Sequence, residues 1–399
     1  MAMPRIPHPN LLSLPPLLRA GFRPFFLAGP FWALTVVVLW VFSLAGELTL
    51  PTGLDPLTWH RHEMLFGYLG AVIAGFLMTA IPNWTGRLPL AGAPLAGLAG
   101  LWLAARLAVL FSSVTGTVFA AMLDVGFLVI LAGVCAREVF AAKNRNLPII
   151  LVLLLFAIAD ACDYGPSIGV ALPDGLGWRA GFALVLILIS LIGGRIIPSF
   201  TRNWLTKRGF QHGLPEQPRN YDKITIALTA LALLAWCAVP DAAWAGWPLL
   251  LAGLAQAIRL GRWSGFRAMR DPLVFILHVG YAWLPIGLLL LGISHFTPEI
   301  PPTMGLHALA AGAMATMTLA VMTRATLGHT GRELRSDSWT TIIYVLVTAG
   351  ALVRVSAPRL PWDYMRLIEL AGSLWAGAFL LFLLSYGPKL LGARADGRP

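Results

Sequence analysis

Residues 56–87 read PLTWHRHEMLFGYLGAVIAGFLMTAIPNWTGR, and residues 301–332 read PPTMGLHALAAGAMATMTLAVMTRATLGHTGR. Each carries an apolar run of about twenty residues, long enough as a helix to cross a hydrocarbon core of roughly 30 Å. Aligned, the two share Pro56 and Pro301, His62 and His307, Gly67 and Gly312, Thr85 and Thr330, Gly86 and Gly331, and Arg87 and Arg332. All six pairs stand at one offset of 245 residues. A repeat of that length marks two helices as equivalent, so it places their residues at equivalent depths.

Working outward, comparable apolar runs fill the chain. Spans are predicted near 25–47, 57–82, 93–112, 116–139, 147–165 and 178–198, then near 222–240, 243–262, 271–293, 301–326, 338–357 and 362–388. Of 399 residues 58% are hydrophobic and only 12% charged, about half the charged share of a soluble domain, which is roughly 25%. The expected fold is an all-α polytopic membrane protein of about twelve transmembrane helices. Ile197, Pro198 and Thr201 repeat the spacing of Ile81, Pro82 and Thr85. Pro24, Pro148 and Pro272 open the first, fifth and ninth spans at intervals of 124, and Arg106 and Arg354 are 248 apart. We therefore expect a single transmembrane domain, 24–390, of three pseudo-repeated four-helix units (24–145, 146–270, 271–390). It is flanked by a cytoplasmic N-terminal segment, 1–23, and a cytoplasmic tail, 391–399. The Pro-rich segment from Met1 to Arg23 lacks an apolar core ending in a small-residue cleavage site, so it does not read as a cleaved signal peptide.

The net charge of +11 records topology. With both termini cytoplasmic, 22 of the 29 Lys and Arg residues fall on that side. Five (Arg61, Arg179, Arg354, Arg359 and Arg366) fall on the other, and Arg106 and Arg195 lie within spans. That asymmetry is the positive-inside rule and not a nucleic-acid footprint. Cys135, Cys162 and Cys237 form no C-x-x-C or C-x-x-C-H pattern, so they read as packed thiols and covalent c-type haem is excluded. No Walker loop, dinucleotide fingerprint or nucleophile elbow occurs in a suitable context.

The histidines carry the chemistry. Pro56 and Pro301 suit a first helical turn, which puts His62 and His307 roughly 9 Å along their helices, both near the outer face. Two inward-facing imidazoles at one depth on two helices are what six-coordinate haem iron requires. The bland reading of each is an interfacial or hydrogen-bonding side chain. Haem propionates in a membrane need cationic partners, and Arg106, Arg354 and Arg359 share that outer side. Snorkelling to headgroups is the alternative for the latter two. His60 and Glu63, spaced i and i+3, together with His278 inside the ninth span, are leftover candidate ligands for a metal such as copper. Asp124 and Asp160 are buried carboxylates that pair with Arg or relay protons.

Several motifs together bring a family into view. They are Phe22-Arg23-Pro24-Phe25-Phe26, Trp59-His60-Arg61-His62-Glu63, Ile81-Pro82-Asn83-Trp84-Thr85-Gly86-Arg87, and Met322-Thr323-Arg324 through Leu327-Gly328-His329-Thr330-Gly331-Arg332. In these the chain resembles the NnrS family over nearly its whole length. The resemblance implies a bacterial inner-membrane protein containing haem and copper and linked to denitrification and nitric-oxide stress. The architecture is also similar to the catalytic subunit of haem-copper oxidases and nitric-oxide reductases, where a haem is held between the second and tenth helices. The departures are specific: the sixth span has no His, the seventh lacks a His pair, and Leu309 stands where a second haem ligand would follow His307. The usual binuclear centre is therefore not expected.

Three functions compete. One is a haem b protein, with copper as a second cofactor, that handles nitric oxide or a related small nitrogen species as an oxidoreductase. Its electrons would come from membrane quinol or another donor. The second is a transporter, since repeats and buried charge also build transporters. The third is a haem sensor or assembly factor without turnover.

Overall fold

A computed structural model of the chain describes residues 11–397. Residues 1–10 and 398–399, which include Arg5, His8 and Arg398 of the expected cytoplasmic segments, lie outside the described residues. Helices follow one another as α1 (Phe22–Leu44), α2 (Pro56–Thr85), α3 (Ala93–Leu110), α4 (Thr117–Ala141), α5 (Leu147–Ile168) and α6 (Leu176–Lys207). Then come α7 (Asn220–Ala238), α8 (Gly246–Gly261), α9 (Pro272–Ile293), α10 (Pro302–His329), α11 (Ser338–Arg359) and α12 (Tyr364–Leu391). No strand occurs among the described residues, and eleven of the helices are long and apolar enough to cross a membrane.

The exception is α8, predicted as a span over 243–262. It has 16 helical residues after a 3-10 turn at Ala243–Ala245, a rise of roughly 24 Å at 1.5 Å per residue. Predicted ends placed at prolines also move. α2 runs three residues past Pro82 and α6 runs on to Lys207 past Pro198. A single interior proline removes one backbone donor, a loss that membrane helices tolerate where neighbours cover the freed carbonyl.

The repeat extends to the backbone. Immediately after His62 and after His307, at the same register, the helix widens to π geometry, over Glu63–Tyr68 in α2 and Ala308–Met314 in α10. Both helices then end on a left-handed glycine, Gly86 at φ 71° and Gly331 at φ 72°, a conformation that needs no Cβ. Thr85 and Thr330 each donate a hydroxyl to the carbonyl four residues back, Ile81 at 2.8 Å and Thr326 at 2.6 Å. A π segment re-aims the side chains around it and recurs at functional positions.

Packing separates the chain into two compact units. One comprises Met1–Gly181, Thr326–Glu333 and Leu383–Pro399; the other comprises Phe182–Ala325 and Leu334–Phe382. Within the first, α1 packs on α2, α3 on α4 and α4 on α5, around Phe25, Phe26, Trp59, Phe66 and Trp102. Within the second, α8 packs against α7 and α9, α9 against α10, and the π segment of α10 against α11, around Leu284, Leu288 and Leu309. Outward-facing apolar side chains such as Phe31, Leu151, Ile224 and Leu254 are exposed, as lipid contact requires.

Candidate functional site

The first unit holds the densest set of buried ionisable groups. It begins at the mouth of α2, where Asp55 accepts hydrogen bonds from the Leu57 and Thr58 amides at 3.1 and 3.0 Å and Pro56 occupies the first turn. Burial alone would raise the Asp55 carboxyl, but the bonds from Thr58 and Leu57, with Arg61 nearby, hold it below its usual value, so the cap is ionised. This start fixes the register that sends His62 and Glu63 inward.

His62 is almost completely buried, between the rings of Phe66 and Tyr164 at 5.2 and 4.6 Å. Both of its nitrogens meet carboxylates. Nδ1 is 3.0 Å from Asp163 Oδ2, and Nε2 is 2.8 Å from Asp124 Oδ2 and 3.7 Å from Asp160 Oδ1. Asp160, Asp163 and Tyr164 come from one face of α5, at i, i+3 and i+4. The Tyr164 hydroxyl donates to Asp124 Oδ2 at 3.0 Å.

Arg106, from α3, completes the cluster. Its Nη1 donates to both Glu63 oxygens at 2.8 Å and its Nη2 to Asp124 Oδ1, while Trp32 Nε1 donates to Glu63. Gly67 makes the approach possible, because a Cβ there would lie 2.6 Å from both Arg106 Nη1 and Glu63 Oε2. Arg61 reaches Asp163 Oδ1 at 3.4 Å and lies over the Trp178 ring at 5.0 Å. Asp160 is different: it is fully buried and neither of its oxygens has a hydrogen-bond donor.

In the second unit, His307 donates Nδ1–H to the Thr303 carbonyl at 2.7 Å, which leaves Nε2 as the ring's lone-pair nitrogen. Arg354 is within electrostatic reach of His307 and lies over the Tyr364 ring at 6.0 Å. Its Nη1 is buried with no hydrogen-bond partner. Arg359 is exposed in the 3-10 turn that ends α11. Elsewhere in this unit Arg259 is satisfied by Asp222 at 2.8 Å, by the Ser190 carbonyl at 2.8 Å and by the Tyr281 hydroxyl at 3.0 Å. This network ties α6, α7, α8 and α9 together through Arg259 Nε and Nη1.

The residues singled out from sequence therefore divide. His62, Glu63 and Arg106 come together, but with one another's charges: Arg106 is taken up by Glu63 and Asp124. His307 and Arg354 come together in the second unit. Of the candidate copper ligands, Glu63 has both oxygens taken by Arg106, while His278 keeps a buried Nδ1 with no hydrogen-bond partner. His60 stacks on Trp40 at 4.8 Å, Glu63 is held by Arg106 and Trp32, and His278, in the second unit, has Nε2 2.8 Å from the Thr201 hydroxyl. Asp124 pairs with an Arg, as one of its two readings held. Asp163 and Tyr164 were missed, although the Asp160-x-x-Asp163-Tyr164 spacing inside an apolar helix was available as a signal.

The family model described as NnrS protein matches residues 16–394. No curated protein matches the chain.

Proposed function

The chain belongs to the NnrS family, and from that premise we propose that it binds haem b through His307 and uses it in the redox handling of nitric oxide. Membership makes it a membrane protein linked to the nitric-oxide response; the cofactor and the reaction are our reading. The observation that carries it is the state of His307. With Nδ1–H given to the Thr303 carbonyl, Nε2 keeps its lone pair, the way ligating histidines are ordinarily fixed by a partner on the other nitrogen. Haem iron supplies one-electron exchange and a position for a small diatomic ligand.

The remaining candidates differ in their fit to such a group. Arg354, with a buried and unpartnered Nη1, suits a propionate, since a carboxylate in a membrane needs a cation and Arg offers a forked donor. Arg359, in the turn beyond it, is the second candidate. Arg106 does not suit that role, because Glu63 and Asp124 already take its guanidinium. His62 does not suit the second axial position, because both of its nitrogens already face carboxylates, so the proposal rests on His307 alone. Held by His307, the haem would supply a site for a small diatomic substrate. Electrons come from membrane quinol or another donor, and the protein sits in the inner membrane with both termini cytoplasmic.

The test is an absorption spectrum of the purified protein before and after anaerobic addition of nitric oxide. The reading expects a b-type spectrum that shifts with nitric oxide. Colourless protein would favour the transporter, and haem without turnover would favour a sensor or assembly factor.

A further inference from the structure

The cluster around His62 has more carboxylates than cations. Glu63, Asp124, Asp160 and Asp163 are all buried. Arg106 meets Glu63 and Asp124, and Arg61 meets Asp163. With all four acids ionised and His62 neutral, two charges remain unbalanced, and an unbalanced charge in a membrane interior is expensive. Nothing in the protein's own hydrogen bonds relieves this at Asp160, whose two oxygens accept no bond.

We propose that His62, Asp124 and Asp160 bind one divalent first-row cation of the zinc, manganese or iron(II) kind. Three features of the geometry support it, all independent of the haem reading. The ligand atoms of the three residues lie within 4.8 Å of one another, with His62 Nε2 2.8 Å from Asp124 and 3.7 Å from Asp160. Ligands about 2.1 Å from a tetrahedral ion stand about 3.4 Å apart, so the spacing suits a shared ion after small adjustment.

The surroundings also have the form of a ligand shell. His62 Nδ1 is 3.0 Å from Asp163, the carboxylate–histidine arrangement that fixes the tautomer and turns Nε2 toward a metal. Asp163 is itself anchored by Arg61. Asp124 is oriented from outside by Arg106 and Tyr164. Asp160 alone has no second partner, and it points at His62 Nε2 with both oxygens unused.

The donor chemistry fits the charge. One imidazole and two carboxylates, with no sulfur, suit borderline divalent ions, and a single dication brings the cluster to neutrality. The π turn that begins at Glu63 lets adjacent side chains, His62 and Glu63, serve two different partners, the ion and Arg106.

The experiment uses full-length purified protein, stripped with chelator and titrated with Mn2+ alone. Free Mn2+ is followed by electron paramagnetic resonance, and metal content as isolated by mass spectrometry. Wild type is expected to take up one Mn2+ per chain and to gain thermal stability as it does so. Asp160→Asn keeps the shape and removes an unpartnered charge, so it should fold at least as well without metal. It should bind Mn2+ at least tenfold more weakly, and His62→Gln should do the same. Haem content is measured alongside, so that loss of haem and loss of the cation are read separately. Asp160→Asn binding Mn2+ within twofold of wild type, or wild type taking up no dication, would overturn the proposal.

Discussion

Replacing Arg106 with Met removes a guanidinium that is fully buried and makes three contacts to two carboxylates. Breaking a buried ion pair by deleting one partner costs about 3–5 kcal/mol, because the other charge is left in a low dielectric. Here the loss is cushioned. Glu63 keeps its bond from Trp32, and Asp124 keeps His62 and Tyr164. The expected cost is therefore near the lower bound, about 3 kcal/mol, or roughly a hundredfold in the folding equilibrium. Reversible unfolding in mixed detergent micelles measures it. Adding Glu63→Gln removes one of the stranded charges, so the double variant should recover part of the loss, with a coupling of about 0.5–3 kcal/mol. Haem content per folded molecule should not change, since the guanidinium does not face a propionate in this account. An Arg106→Met protein within about 1 kcal/mol of wild type, or a strictly additive double variant, would refute the reasoning.

Three further outcomes follow from the same geometry. Gly67→Ala should cost about 1–3 kcal/mol in the same assay, because the new Cβ would fall 2.6 Å from both Arg106 Nη1 and Glu63 Oε2; a neutral effect would show that the pair has room to move. Gly86→Ala and Gly331→Ala place a side chain at φ 71° and 72°, which costs about 1–2 kcal/mol each. Gly331 should be the worse of the two, since its Cβ would meet Asp396 at 2.5 Å whereas that of Gly86 meets open space. Reporter fusions after Pro399 and within the 46–55 loop should report opposite sides of the membrane, because the basic residues are so unevenly divided; equal signals from the two would reject the proposed topology.

Hydropathy made the helices legible because a membrane demands about twenty apolar residues per crossing, a requirement any single sequence displays. It failed where that demand is relaxed: α8 is only 16 residues long, and α6 continues through Pro198 where propensity argues for a stop. The 245-residue repeat was visible and turned out to extend to backbone geometry. Its π segments were not, because one extra residue in a helical turn leaves no residue signature beyond the shared spacing of the two motifs. Within the site, depth was readable and neighbours were not. Arg106 was recognised as a buried cation, but nothing along the chain said that Asp124, only 18 residues away in the next helix, would meet it. His62 was matched to His307 by equal depth, while its actual partners come from α4, with Asp124, and from α5, with Asp160 and Asp163. Adjacency along the chain suggests which helices pack together but not which of their side chains meet, and that is what decides whether a buried charge is spent on a neighbour or left for a ligand.

The most direct test of the haem assignment is the optical spectrum of the His307→Leu protein, taken beside wild type and His62→Gln at equal concentrations of folded protein. The account predicts a b-type spectrum in wild type, its loss in His307→Leu, and its retention in His62→Gln, whose ring serves the carboxylate cluster. An unchanged spectrum in His307→Leu would contradict it.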